Sequence, residues 1–175
     1  ELERLFYPRS IAVVGATPKN KQMGSGNMFI QGAFSQGYQG NIYPVNPDAD
    51  RVLGYKAYPS VRAIPGEVDL VIFAIPLSAV IPVMEDCAAK GVKFVHMFTA
   101  GFSETGHARY AEIEQKALTI ARKGGVRVVG PNCMGIYCPD GGVAFQERFP
   151  SGSGKVAFVS QSGSLVNGFV DKGAR

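Results

Sequence analysis

The sequence predicts a doubly wound α/β fold, a parallel sheet with helices on both faces. Three observations predict it. Short apolar runs recur with longer amphipathic segments between them. Most runs are apolar throughout, without the polar alternation of a strand that has one wet face. Glycine- or proline-bearing turns follow the runs, where strands hand over to helices.

The elements follow in order. Residues 11–14 (IAVV) form the first run, and a glycine-rich stretch from Gly15 to Gly26 follows it. After Ser25, Ile30, Ala33, Phe34 and Gly37 recur at helical spacing. The next runs are 41–45 and 68–75. After Ser78 come Ile81, Met84 and Ala88, with Val80, Val83 and Cys87 beside them. Run 92–98 precedes a third helical pattern after Thr105, carried by Tyr110, Ile113, Ala117 and Ala121. Run 126–129 closes the series. Ser25, Ser78 and Thr105 are the expected N-caps. Gly91 and Gly124 are expected as left-handed residues that end helices. Pro82 falls early enough in its helix to break no hydrogen bond. Tyr55, Lys56 and Tyr58 read as ordinary loop residues.

Beyond Val129 the pattern changes. Residues 130–154 are rich in glycine and proline and show no long periodic segment. A new strand, turn and helix then begin at Lys155, with residues 156–159 as the strand. The expected organisation is therefore a first domain over 1–130, a linker over 131–154 and the truncated start of a second domain over 155–175. A single strand–helix unit has no core of its own and must lean on the first domain.

Composition narrows the classes. Of 175 residues, 46% are hydrophobic and 18% charged, which excludes intrinsic disorder. The net charge of +4 suits an anionic ligand, but the basic residues are scattered and no basic run points to nucleic acid. Cys87, Cys133 and Cys138 are an odd number without a CxxC pair, so neither a disulfide framework nor a zinc site is expected, and no metal site is. That usage favours a reducing, cytoplasmic setting. No apolar stretch is long enough for a membrane span, and the charged N-terminus is not a signal peptide.

In open α/β sheets ligands sit beyond the carboxyl ends of the strands. There, Gly15, Ala16, Thr17, Lys19, Lys21, Gly24 and Ser25 form a strand-to-helix turn with helix-terminal N–H groups and two lysines, suited to a phosphate or pyrophosphate. The loop is not G-x-G-x-x-G, and the second run ends Val45, Asn46, Pro47 with no acid for a ribose diol. NAD is therefore disfavoured. A Walker A loop is absent. Ile75 and Pro76, then Ala100 and Gly101, are small or apolar turn residues that leave room for an extended ligand. Asn132 and Cys133 follow the fifth run, and Ser160, Ser162 and Gly163 form a further turn suited to an anion. Glu104 either orients a substrate or complements a helix start. Cys133 has no histidine in its segment to activate it and reads as a structural thiol. His96 reads as packed inside a strand and His107 as solvated.

The ordered set GATPKNKQMGSG, YPVNP, FAIP, FTAGFSETG, VVGPNCMGIY and FVSQSGSL resembles the CoA-binding domain of NDP-forming acyl-CoA synthetases. That family includes ADP-forming acetyl-CoA synthetase and the succinyl-CoA synthetase alpha subunit. The opening LERLFYPRSIAVVGA looks more like the acetyl-CoA branch. The resemblance covers essentially the whole chain and rests most on GPNC and SQSG. It implies a Rossmann-like CoA-binding domain followed by the first strand–helix unit of a second, flavodoxin-like domain. Coenzyme A would place its phosphates at Gly15 to Ser25, its adenosine end near Val45, Asn46 and Pro47, and its pantetheine past Ile75, Pro76, Ala100 and Gly101 toward Asn132. Ser160, Ser162 and Gly163 would correspond to the helix start that holds a phosphohistidine or free phosphate. The family's phosphohistidine and ATP-grasp parts are not in these 175 residues, so the chain would be one piece of an acid–thiol ligase, inactive alone, partnered by an ATP-grasp domain or subunit. Homo-oligomerisation is a further possibility. Two alternatives stay open: a regulatory CoA-binding domain fused to a protein acetyltransferase, and an NAD(P)-binding sensor.

Overall fold

The computed structural model describes residues 2–18 and 25–173. In chain order the elements are α1 (Glu3–Phe6), β1 (Ser10–Val14), α2 (Gly26–Ser35), β2 (Asn41–Val45), β3 (Arg51–Val52), β4 (Tyr55–Lys56), β5 (Leu70–Phe73), α3 (Val80–Lys90), β6 (Phe94–Met97), α4 (Ala108–Lys123), β7 (Arg127–Val129) and α5 (Gly163–Gly173). Five strands form one parallel sheet in the order β2-β1-β5-β6-β7. The chain runs from β1 to its neighbour on one side, then crosses to β5 on the other. The switch point of the sheet therefore lies between β1 and β5, where such folds bind ligands.

Alternate residues of each strand feed two different cores, as the pleat requires. On one face Ala12, Val14, Val71, Phe73, Val95 and Met97 pack with Met84 and Cys87 of α3 and Ala117 and Ala121 of α4. On the other, Ile11, Val13, Leu70, Ile72 and Phe94 pack with Phe29, Ile30 and Ala33 of α2. Fully burying one such large side chain contributes about 1.5–3 kcal/mol. This double coverage is why the runs read as continuously apolar.

The differences from expectation lie at the edges. No side-chain cap forms at Ser25. Ser78 lies in a single 3-10 turn ahead of α3, and Thr105 in another before α4, whose first residue follows the extended His107. Short 3-10 turns lead into α3 and α4, whose first turns have no side-chain cap. Gly91 takes the left-handed conformation that ends α3. Gly124 does not; Gly125 does, with φ +69°. A Cβ on Gly124 would come within 2.5 Å of the Ala88 Cβ, so its lack of a side chain instead lets α4 pack on α3. Tyr55 and Lys56, read as loop residues, instead pair with Val52 and Arg51 in the antiparallel β3–β4 ribbon, too short for a periodic signal. Tyr58 bridges to Val45 and stacks edge-on with Tyr43 at 5.6 Å.

Residues 130–154 do more than connect. Val143, Ala144, Phe145 and Phe149 are buried with α2 in the second core. Gln36, just past the end of α2, donates its Nε2–H to the Phe149 carbonyl at 2.9 Å. The expected strand over 156–159 is absent: the residues pair with no other strand, and Val156 and Val159 are 76% and 97% exposed. A strand exists only through its ladder, and among the described residues no strand lies beside this run. The helix after it does form, and Val166 and Val170 of α5 pack against the second core.

Candidate functional site

The carboxyl ends of all five sheet strands open onto one rim, laced by backbone hydrogen bonds that continue past the strands. The Gly15 N–H donates to Val45 O at 3.3 Å, and that of Ala74 to Val14 O at 3.0 Å. The Phe98 and Thr99 N–H groups donate to Phe73 O at 3.1 and 3.2 Å. Asn132 N–H donates to Thr99 O at 3.0 Å, and Cys133 N–H to Met97 O at 3.2 Å. The structure thus brings Gly15, Val45, Ile75, Ala100 and Asn132 onto one edge, although they span more than a hundred residues of sequence.

The first turn is built for close approach. Gly15 has φ +95°, and a Cβ there would run into the Ala74 carbonyl. A Cβ on Gly26, the first residue of α2, would lie 2.7 Å from the Ala16 nitrogen. Two glycines therefore let α2 begin directly against the end of β1. Lys19, Lys21 and Gly24 lie outside the described residues. Ser25 is exposed at the start of α2, a helix long enough to carry a dipole.

Asn27 was not foreseen from the sequence. Its side chain is fully buried; Oδ1 accepts from Thr17 N–H at 2.8 Å and Nδ2 donates to Thr17 O at 2.9 Å. It clamps the turn to α2. The available signal was an amide in the first turn of an otherwise apolar helix face. Asn46 clamps from the other side, donating Nδ2–H to Ala16 O at 2.8 Å and accepting from Asp48 N–H at 2.9 Å. A neutral amide thus occupies the end of β2 where a dinucleotide fingerprint carries an acid. Ala16 and Val45 are buried and offer backbone only, whereas Pro47 is exposed. Beside this end lies a shallow recess of about 350 Å³ lined by Pro18, Arg51, Leu53 and Gly54, so the β3–β4 pair belongs to the rim.

Farther along, Ile75 is half-buried and Pro76 exposed. Buried Thr99 donates its hydroxyl to Ile75 O at 2.8 Å and so joins the ends of β5 and β6. Ala100 is exposed and Gly101 has φ +97°. Glu104 accepts the Gly101 and Phe102 N–H groups at 2.7 and 2.9 Å. Its carboxylate holds that turn, so of the two roles expected for it, the backbone one is seen. Asn132, exposed with φ +52°, follows a cis Gly130–Pro131 bond. Cys133 is half-buried; burial pushes its thiol pKa up, which disfavours the nucleophilic thiolate.

Ser162 caps α5, its Oγ accepting from Leu165 N–H at 3.3 Å, and Ser160 Oγ accepts from Ser162 N–H at 3.0 Å. A Cβ on Gly163 would run into the Met134 side chain. This turn therefore sits against the loop that carries Asn132. Among the described residues, the rim's turns carry mostly alanine, glycine, proline and threonine, small side chains that leave backbone close to the edge.

A doubly wound sheet with a glycine-built strand-to-helix turn at its switch point defines a Rossmann-like ligand-binding domain. Known proteins specify it further. The family model described as "CoA binding domain" matches residues 9–139, and the chain belongs to that family. It is 43% identical over 171 residues to the alpha subunit of acetate–CoA ligase [ADP-forming] II of Pyrococcus furiosus, covering 98% of this chain and 36% of the relative. It is 38% identical over 170 residues to 4-hydroxybutyrate–CoA ligase [ADP-forming] of Nitrosopumilus maritimus, covering 95% and 24%. Among solved structures, a dinucleotide-forming acetyl-coenzyme A synthetase 1 of Ca. Korarchaeum cryptofilum, in complex with phosphate and ADP, superimposes with a TM-score of 0.86 at 38% identity, covering 98% of this chain and 36% of that one. The chain thus matches the CoA-binding region of ADP-forming acyl-CoA synthetases and spans about a quarter to a third of their length.

Proposed function

We propose that the rim binds coenzyme A and that the chain supplies the CoA site of an ADP-forming acyl-CoA synthetase. The observation that carries this is the glycine-built start of α2 at the switch point, with an amide rather than an acid at the end of β2. The pyrophosphate meets the turn of Gly15, Ala16, Thr17 and Ser25, with Lys19, Lys21 and Gly24 in the same loop. The adenosine end lies by Val45, Asn46 and Pro47. The pantetheine runs past Ile75, Pro76, Ala100 and Gly101 to Asn132. Small side chains along this path admit the ligand, and the N–H groups at the start of α2 hold its phosphates. When bound, CoA supplies the thiol that accepts the acyl group. Ser160, Ser162 and Gly163 orient a phosphate near that end. Residues 1–130 are the CoA-binding unit; 131–154 connect it to a second unit that starts over 155–175 and continues into the phosphohistidine and ATP-grasp parts of the whole ligase. The setting is cytoplasmic, supported by three free cysteines.

Calorimetry with CoA, dephospho-CoA, pantetheine and NADH tests the site. CoA should bind best and pantetheine worst, each lost phosphate lowering the affinity. Equal affinities for CoA and pantetheine, or tighter binding of NADH, would overturn the reading.

A further inference from the structure

Along β6 the side chains alternate between the two cores, and His96 falls on the α2 side between Phe94 and Phe98. Its ring is 1% exposed and meets the edge of Phe29 of α2 at 5.3 Å and 77°. Its Nε2 lies 2.9 Å from the Cys133 carbonyl oxygen. A carbonyl only accepts, so the imidazole carries its proton on Nε2 and donates. Two further bonds tie the same loop to the sheet: Asn132 N–H to Thr99 O and Cys133 N–H to Met97 O. Those two use backbone that any sequence would supply. The third depends on a polar side chain at a position where the sheet otherwise wants an apolar one. A buried polar group in that place is tolerated only because the Cys133 carbonyl satisfies it.

We infer that His96 is a positioning residue for the ligand site: packed on α2 at one side and donating to the Cys133 carbonyl at the other, it holds Asn132 at the thiol end of the rim in register with the phosphate turn. This role toward CoA rests on the function proposed above. His96 touches no ligand and carries no proton for the reaction.

Two substitutions test it in the full chain. His96→Leu keeps the volume and loses the donor; His96→Gln keeps an N–H at nearly the same reach. Amide hydrogen exchange at Asn132 and Cys133 should speed up at least tenfold in His96→Leu, while the Ala74 and Phe98 amides stay protected; His96→Gln should restore protection. Calorimetry should show CoA weakened about five- to tenfold in His96→Leu, with adenosine 3′,5′-bisphosphate, which lacks the pantetheine, unchanged. Uniform loss of protection, no change at Asn132 and Cys133, or equal weakening of both ligands would overturn the inference. Should His96→Leu not fold, nitrogen NMR of the wild-type histidine decides: a slowly exchanging Nε2–H supports the role, and an Nδ1–H tautomer refutes it. Wild-type protein that binds no CoA but shows the expected exchange pattern would overturn the ligand reading, and with it the role toward CoA, while leaving the loop contact itself intact.

Discussion

Single residues decide the shape of the turn that joins β1 to α2. Gly15→Ala forces a side chain into a left-handed backbone and toward the Ala74 carbonyl, at a cost of about 1–3 kcal/mol. We expect a lower Tm by calorimetry and loss of measurable CoA binding at concentrations that saturate the wild type. Asn27→Ala removes both bonds to Thr17 and should cost about 1–3 kcal/mol. CoA affinity should fall with it. Unchanged affinity in a folded Asn27→Ala protein would show that the clamp does not shape the site. His96 also marks the acid limb of stability. Burial lowers its pKa from 6.5 to about 4. The unfolded chain therefore binds the proton first, and stability falls as pH drops from about 6.5 toward 4. Denaturation of His96→Gln over that window should show a flatter profile than the wild type. Gly15 was legible in the sequence because it follows an apolar run. Asn27 was not, since a polar residue inside a helix says nothing of what its amide reaches.

At the scale of elements, one cluster joins α1, β1 and β5 at the rim opposite the site. Asp69 is almost wholly buried and accepts from Arg9 N–H at 2.8 Å and Nε–H at 3.1 Å, with Arg4 at 3.6 Å. Burial alone would raise the Asp69 pKa, but the hydrogen bonds and charge of Arg9 outweigh it, and the pKa is lowered. Its stabilisation is therefore present above the ordinary carboxylate pKa and is lost as pH falls through the lower folded value. Asp69→Asn should lower Tm at neutral pH by several degrees, about 2 kcal/mol. The gap to the wild type should close below about pH 4; a constant gap from pH 7 to 3 would show that charge plays no part. The major strands and helices were readable because burial on two faces and helical spacing leave strong patterns. The β3–β4 pair was not, because two residues per strand carry no period. The run at 156–159 differs for the opposite reason: its composition suits a strand, but among the described residues no partner edge meets it.

For the whole molecule, the end of the chain leaves an apolar surface. Val156, Phe158, Val159, Leu165 and Phe169 are all exposed, and Phe158 stacks on Phe169 at 4.4 Å. Such a patch favours association. Sedimentation velocity should find concentration-dependent self-association, reduced by Val159→Lys together with Leu165→Lys, with stability changed by less than about 0.5 kcal/mol. A monomer at all concentrations would contradict this.

By itself the sequence determined the periodicities, the turn chemistry and so the fold class, because hydrophobic spacing and glycine placement act locally along the chain. Gly15, Asn46, Gly101 and Asn132 could be named from where they fall after each run. Only the tertiary structure decided which of these turns share an edge, that Asn27, Thr99 and His96 tie them together, and that residues 143–149 complete the core over α2. Those facts depend on side chains and carbonyls far apart in sequence meeting across a sheet, and no local pattern records such a meeting.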